Sequence, residues 1–111
     1  MGNLSTKQLK ALKDVLNRAD VELVLIFGSY ARGDADADSD LDIAVLFDED
    51  VRTEDYASKL FDMEISIDKT EVAFPELDFE ILPVSDDDGL KSSIIENHRL
   101  VYGDKSLRSI S

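Results

Sequence analysis

The sequence predicts an α/β (α+β) fold, because helical and strand-like apolar patterns alternate along it. Three observations carry this expectation. Leu9, Leu12, Leu16 and Ala19 recur at helical spacing with lysines between them. Val21–Phe27 is an unbroken β-branched and aromatic run that stops at Gly28. Tyr56, Leu60, Met63 and Ile67 then form one helical stripe between two further strand-like runs. With 111 residues, 43% of them hydrophobic, the chain is expected to form a single domain over residues 1–111, with no repeat and no interdomain linker.

Taken in order, Ser5 or Thr6 caps the first helix, and the run at Val21–Phe27 is a buried strand. Ser29 to Gly33 makes a short helical turn, and the polar stretch Asp34 to Ser39 is a loop. The second strand, Asp40 to Phe47, opens with acids on alternate positions and becomes uniformly apolar, the pattern of a central strand with a solvent-facing mouth. Thr53 is expected to cap the next helix, whose end Ile65 and Ile67 blur. A third strand follows at Leu77 to Leu82, with Asp78 and Glu80 on one face and Pro83 stopping it. Asp86 to Asp88 begins a last helix carrying Leu90, Ile94 and Ile95, and Leu100–Tyr102 forms a short terminal strand or helix end.

Twenty-five acids against twelve bases leave a net charge of -13, which repels nucleic acid and argues against general RNA or DNA binding. The same surplus suits capture of divalent cations, docking on a basic partner, or solubility at high salt; composition does not separate these. The absence of cysteine excludes disulfides and thiolate chemistry, and points to an intracellular protein. No apolar run has transmembrane length and no signal-peptide core is visible, so a cytoplasmic, membrane-free chain is expected. His98 is the lone histidine, and a structural or surface role is the simplest reading of it. Tyr30 is placed either to stack on a base or to pack against the first helix.

Chemistry concentrates between Gly28 and Asp42. A buried strand that empties into Gly28-Ser29 at the start of a helical turn presents N–H groups and a hydroxyl to an anion such as phosphate. The segment lacks the Gly-Lys-Ser/Thr ending of a P-loop and a glycine of the dinucleotide fingerprint. Asp40 and Asp42, two apart on a strand, point to one face, and their mutual repulsion is relieved by a divalent cation, magnesium being the expected one. Asp34, Asp36 and Asp38 do not make a calcium loop, since no register from them supplies glycine at the sixth position.

Gly28-Ser29-Tyr30-Ala31-Arg32-Gly33 followed by Ser39-Asp40-Leu41-Asp42 resembles the signature of the DNA polymerase β-type nucleotidyltransferases, in the variant found in the minimal nucleotidyltransferases. The resemblance implies a mixed β-sheet backed by helices. It implies that Ser29, beside Gly28, binds a triphosphate tail, and that Asp40 and Asp42 ligate two magnesium ions. Asp78 would be the third carboxylate, ligating the catalytic metal and helping to deprotonate the attacking hydroxyl, with Glu80 its competitor on the same strand face. Arg32 is inferred to neutralise triphosphate charge.

Small members of this family resemble the antitoxin half of a two-gene module whose partner is a helical HEPN ribonuclease. That resemblance implies transfer of AMP from ATP to a tyrosine of the toxin, within a hetero-oligomer. Two alternatives stand beside it: an antitoxin acting by contact alone, and an adenylyltransferase for a small hydroxyl compound.

Overall fold

The computed structural model describes residues 4–82 and 98–103. Ser5 caps α1 (Thr6–Leu16) through a capping box: its hydroxyl accepts from Gln8 N at 3.1 Å, and Gln8 Oε1 accepts from Ser5 N at 2.8 Å. The helix stops three residues earlier than Ala19, which is exposed in the turn beyond it. Just past the stop, Arg18 donates to Asp62 Oδ2 at 2.9 Å and to Ser66 Oγ at 3.1 Å, which ties the turn to a later helix.

Four strands, β1 (Val21–Phe27), β2 (Leu41–Phe47), β3 (Leu77–Ile81) and β4 (His98–Gly103), form one sheet in the order β3-β2-β1-β4. β1 runs antiparallel to both β2 and β4, whereas β2 and β3 are parallel. The sheet is therefore mixed, as the resemblance implies. A parallel neighbour requires a crossover, and α3 (Tyr56–Asp68) supplies it. Between β1 and β2 lies α2 (Ser29–Arg32), one turn long.

Strand alternation sorts the core into two faces. Val24, Ile26, Leu41, Ile43, Val45 and Phe47 pack against Leu12 and Leu16 of α1 and Met63 and Ile67 of α3. Leu23, Leu25, Phe27, Ala44 and Leu82 form a second cluster on the other face. Tyr56 and Leu60 complete the expected stripe as half-buried neighbours of the first cluster, and Tyr56 stacks on Phe47 with ring centroids 4.8 Å apart.

Three local expectations change. Thr53 does not cap α3; it opens a 3-10 turn, Thr53–Asp55, that leads into the helix without a side-chain cap. β2 starts at Leu41, leaving Asp40 just before it, and β3 ends at Ile81, although Leu82 N still donates to Val45 O at 2.8 Å. The terminal segment is a strand, β4. The helix expected from Asp86–Asp88 and the strand-stopping role of Pro83 lie outside the described residues. No helix among the described residues is long and apolar enough to cross a membrane.

Candidate nucleotidyl-transfer site

At one end of the sheet, β1 finishes and β2 and β3 begin. Antiparallel pairing sets Phe27 opposite Asp42, and parallel pairing sets Asp42 beside Asp78. Glu80, on the same face as Asp78, pairs instead with Ala44, one step deeper and beside the second apolar cluster. Register thus brings Asp78, and not Glu80, against Asp42.

Gly28 closes this end. Its φ of 73° lies in the left-handed region, and a Cβ there would stand 3.2 Å from Asp42 Cγ and closer still to Oδ2. Both facts require glycine, and together they mean that the Asp42 carboxyl rests against the Gly28-Ser29 turn. Gly28 O accepts from Ala31 N and Arg32 N, each at 3.1 Å, and Gly33, with φ 83°, ends the helical turn. Among the described residues, the N–H groups of Ser29 and Tyr30 meet no acceptor. Ser29 is half-buried, and Tyr30 packs on the core cluster that includes Leu12 and Leu16, in keeping with the packing role.

The electrostatics report the crowding. Asp42 is pushed up from 3.8 to about 6, first by burial and then by repulsion from, and hydrogen bonding with, Asp78; Asp40 adds to the rise and Arg32 opposes it. Asp40 and Asp78 are exposed. A divalent cation would relieve such crowding, and carboxylate oxygens are the donor type that magnesium takes. Among the described residues no group of three or more acidic or histidine side chains is placed to hold a metal ion, so the register pairs Asp42 with Asp78 without gathering Asp40 with them round one point.

Asp34 lies in the solvated loop as expected, and it also accepts from Arg32 Nε at 3.2 Å, a contact the sequence reading does not include. The signal was the Arg32-Gly33-Asp34 spacing, which becomes a contact only because Gly33 bends the chain back. Asp36 and Asp38 are exposed as expected, with Asp36 Oδ1 accepting from Asp38 N at 2.9 Å and from Ser39 Oγ at 3.2 Å. His98 opens β4 opposite Phe27, at the same end of the sheet.

Residues 10–107, most of the chain, match the profile of the family described as polymerase beta, nucleotidyltransferase. The chain belongs to the polymerase β nucleotidyltransferase family. The resemblance carried by Gly28–Gly33 and Ser39–Asp42 is borne out at that level. This nucleotidyltransferase shares its fold with solved structures. A chain from a toxin–antitoxin complex with AMP-PNP aligns with a TM-score of 0.59 and 22% identity, covering 92% of this chain and 76% of that one. A chain from the tri-AMPylated Shewanella oneidensis HEPN toxin in complex with MNT antitoxin gives 0.59 and 17%, over 92% and 75%. One from the toxin–antitoxin MntA-HepT gives 0.58 and 16%, over 91% and 74%. At these identities the likeness is one of fold. No curated protein matches the nucleotidyltransferase's sequence.

Proposed function

We propose that this nucleotidyltransferase is a cytoplasmic antitoxin that transfers AMP from ATP to a tyrosine of a HEPN ribonuclease toxin. The observation that carries the reading is the register pairing Asp42 with Asp78 at a mouth shared with Gly28-Ser29. Fold neighbours that include a toxin–antitoxin complex with AMP-PNP and an AMPylated HEPN toxin support the choice of nucleotide and partner.

In this reading the Ser29 hydroxyl and the N–H groups of the turn receive the triphosphate tail. Arg32, held by Asp34, meets its negative charge. Asp40, Asp42 and Asp78 would hold magnesium, which when bound would neutralise charge on the incoming and leaving oxygens. Asp78, exposed at the mouth, takes the proton of the attacking tyrosine hydroxyl. The tyrosine oxygen then bonds to the α-phosphorus, the bond from that phosphorus to the α–β bridging oxygen breaks, and pyrophosphate leaves with the electron pair.

Incubation with ATP, magnesium and the toxin tests the proposal. An AMP adduct on a toxin tyrosine, detected by mass spectrometry, is the expected result. The Asp40→Asn, Asp42→Asn double variant should form no adduct and should not protect cells from the toxin. Full protection by that variant, without an adduct, would assign the chain to neutralisation by contact.

A further inference from the structure

We infer that the groove between the second half of α3 and the segment entering β3 docks an amphipathic helix of a partner protein that carries lysines or arginines beside its apolar stripe. Phe61 and Ile65 are the large apolar side chains left exposed among the described residues, 65% and 38% respectively. They stand four apart on α3, away from the buried Met63, and both line one groove of about 580 Å3 whose floor includes the buried Ile67. Val72 and Phe74 form its opposite wall. That wall is tied down, because Gln8 Nε2 donates to Ala73 O at 2.8 Å and Thr70 Oγ1 accepts from Val72 N at 3.3 Å.

The shape and the charge identify the occupant. Side chains at i and i+4 form a ridge that fits between the ridges of a second helix, and an aromatic at the centre of such a ridge is the residue type that anchors interfaces. Phe61 is too exposed for a small ligand in this open groove to bury it. Glu64, Asp68 and Glu76 also line the groove, and no lysine or arginine does so among the described residues. A second copy of this chain, with its own net charge of -13, would bring acid against acid. A basic amphipathic helix satisfies both the apolar wall and the acidic lining. Leu77, which also lines the groove, directly precedes Asp78 in β3 and takes the opposite face of the sheet, so a protein seated there reaches the end of the sheet that carries the carboxylates from the helix side. That this partner is the acceptor protein rests on the function proposed above; the groove itself does not.

Fluorescence anisotropy with a labelled four-turn helical peptide, leucines on one face and lysines flanking them, tests the inference against a peptide with glutamates in place of the lysines. The lysine peptide should bind the full chain, and about tenfold more weakly to the Phe61→Ala, Ile65→Ala variant and to the Glu64→Lys, Glu76→Lys variant. All four side chains are exposed, so both variants should keep the wild-type melting profile by circular dichroism. Equal affinity of wild type and the alanine variant, or equal binding of the two peptides, overturns the inference. A wild-type dimer in sedimentation velocity that Phe61→Ala, Ile65→Ala dissolves would give the groove to a second copy and overturn it too. ATP–magnesium binding is read separately on the same proteins. Its absence in wild type would defeat the proposed function while leaving peptide docking intact, whereas failure of docking alone would defeat only the groove.

Discussion

Asp42 is the residue on which the site turns, since it touches the Gly28 turn and faces Asp78 across the ladder. Its pKa of about 6 stands above the ordinary 3.8, so protonation favours the folded state. That contribution is complete below about pH 4 and is lost as pH rises through about 6. Asn at position 42 carries no charge to bury. In chelator-containing buffer, Asp42→Asn should match wild type near pH 4 and exceed it by roughly 1 kcal/mol at neutral pH, allowing for solvent screening of a half-exposed group. Urea denaturation across that range is the measurement, and a pH-independent difference would contradict the assigned cause. Neighbouring residues can then be separated by carboxyl-carbon NMR. Asp78→Asn should bring the Asp42 pKa part-way back toward 3.8, because burial remains, whereas Glu80→Gln should leave it near 6.

Among the elements, the ends of the helices are set by identifiable contacts. The capping box of α1 satisfies two N–H groups, and Gln8 donates its remaining amide to Ala73 O. Ser5→Ala should cost about 1 kcal/mol in thermal or urea unfolding. After α3, Lys69 N donates to Ile65 O, and Glu71 then takes a φ of 61°, the left-handed conformation that disfavours side chains. Glu71→Gly should therefore stabilise the fold by about 1 kcal/mol, and a neutral or destabilising result would show that the Glu71 side chain contributes elsewhere. Half-buried Asp20 accepts from Lys59 Nζ at 2.6 Å, and that hydrogen bond holds its carboxyl below the usual range; it joins the start of β1 to α3.

For the whole molecule, the strongest influence beyond the core is the chain's own charge. A net charge of -13 on a chain of this size repels itself, and four short ion pairs among the described residues, three of them with a largely exposed acid, offset little of that. Raising ionic strength from about 0.01 to 0.15 M shortens the Debye length from about 30 to about 8 Å and should raise the melting temperature. A melting temperature that falls with added sodium chloride would mean that attractive pairs outweigh the repulsion. The same field speeds encounter with a basic partner at low salt, so salt should weaken partner association while it strengthens the fold.

Local pattern was enough to read β1 to the residue, the glycine turn after it, the helical stripe of α3 and the acidic opening of β2. In each of these, period and turn chemistry are written over a few neighbouring residues. Family membership followed from the same short stretch, Gly28 to Asp42. What alternation could not supply was register: it put Asp78 and Glu80 on one face, and only the parallel pairing of β2 with β3 decided which stands beside Asp42. Likewise, the apolar period ran on to Ala19, while α1 ends at Leu16 and the turn beyond it is tied by Arg18 to Asp62 and Ser66, far along the chain. The tether of Arg32 by Asp34 and the exposed pair Phe61 and Ile65 also belong to the tertiary structure. The first depends on the local backbone bend at Gly33, and the second on which helix face the core takes, which is settled when distant segments pack.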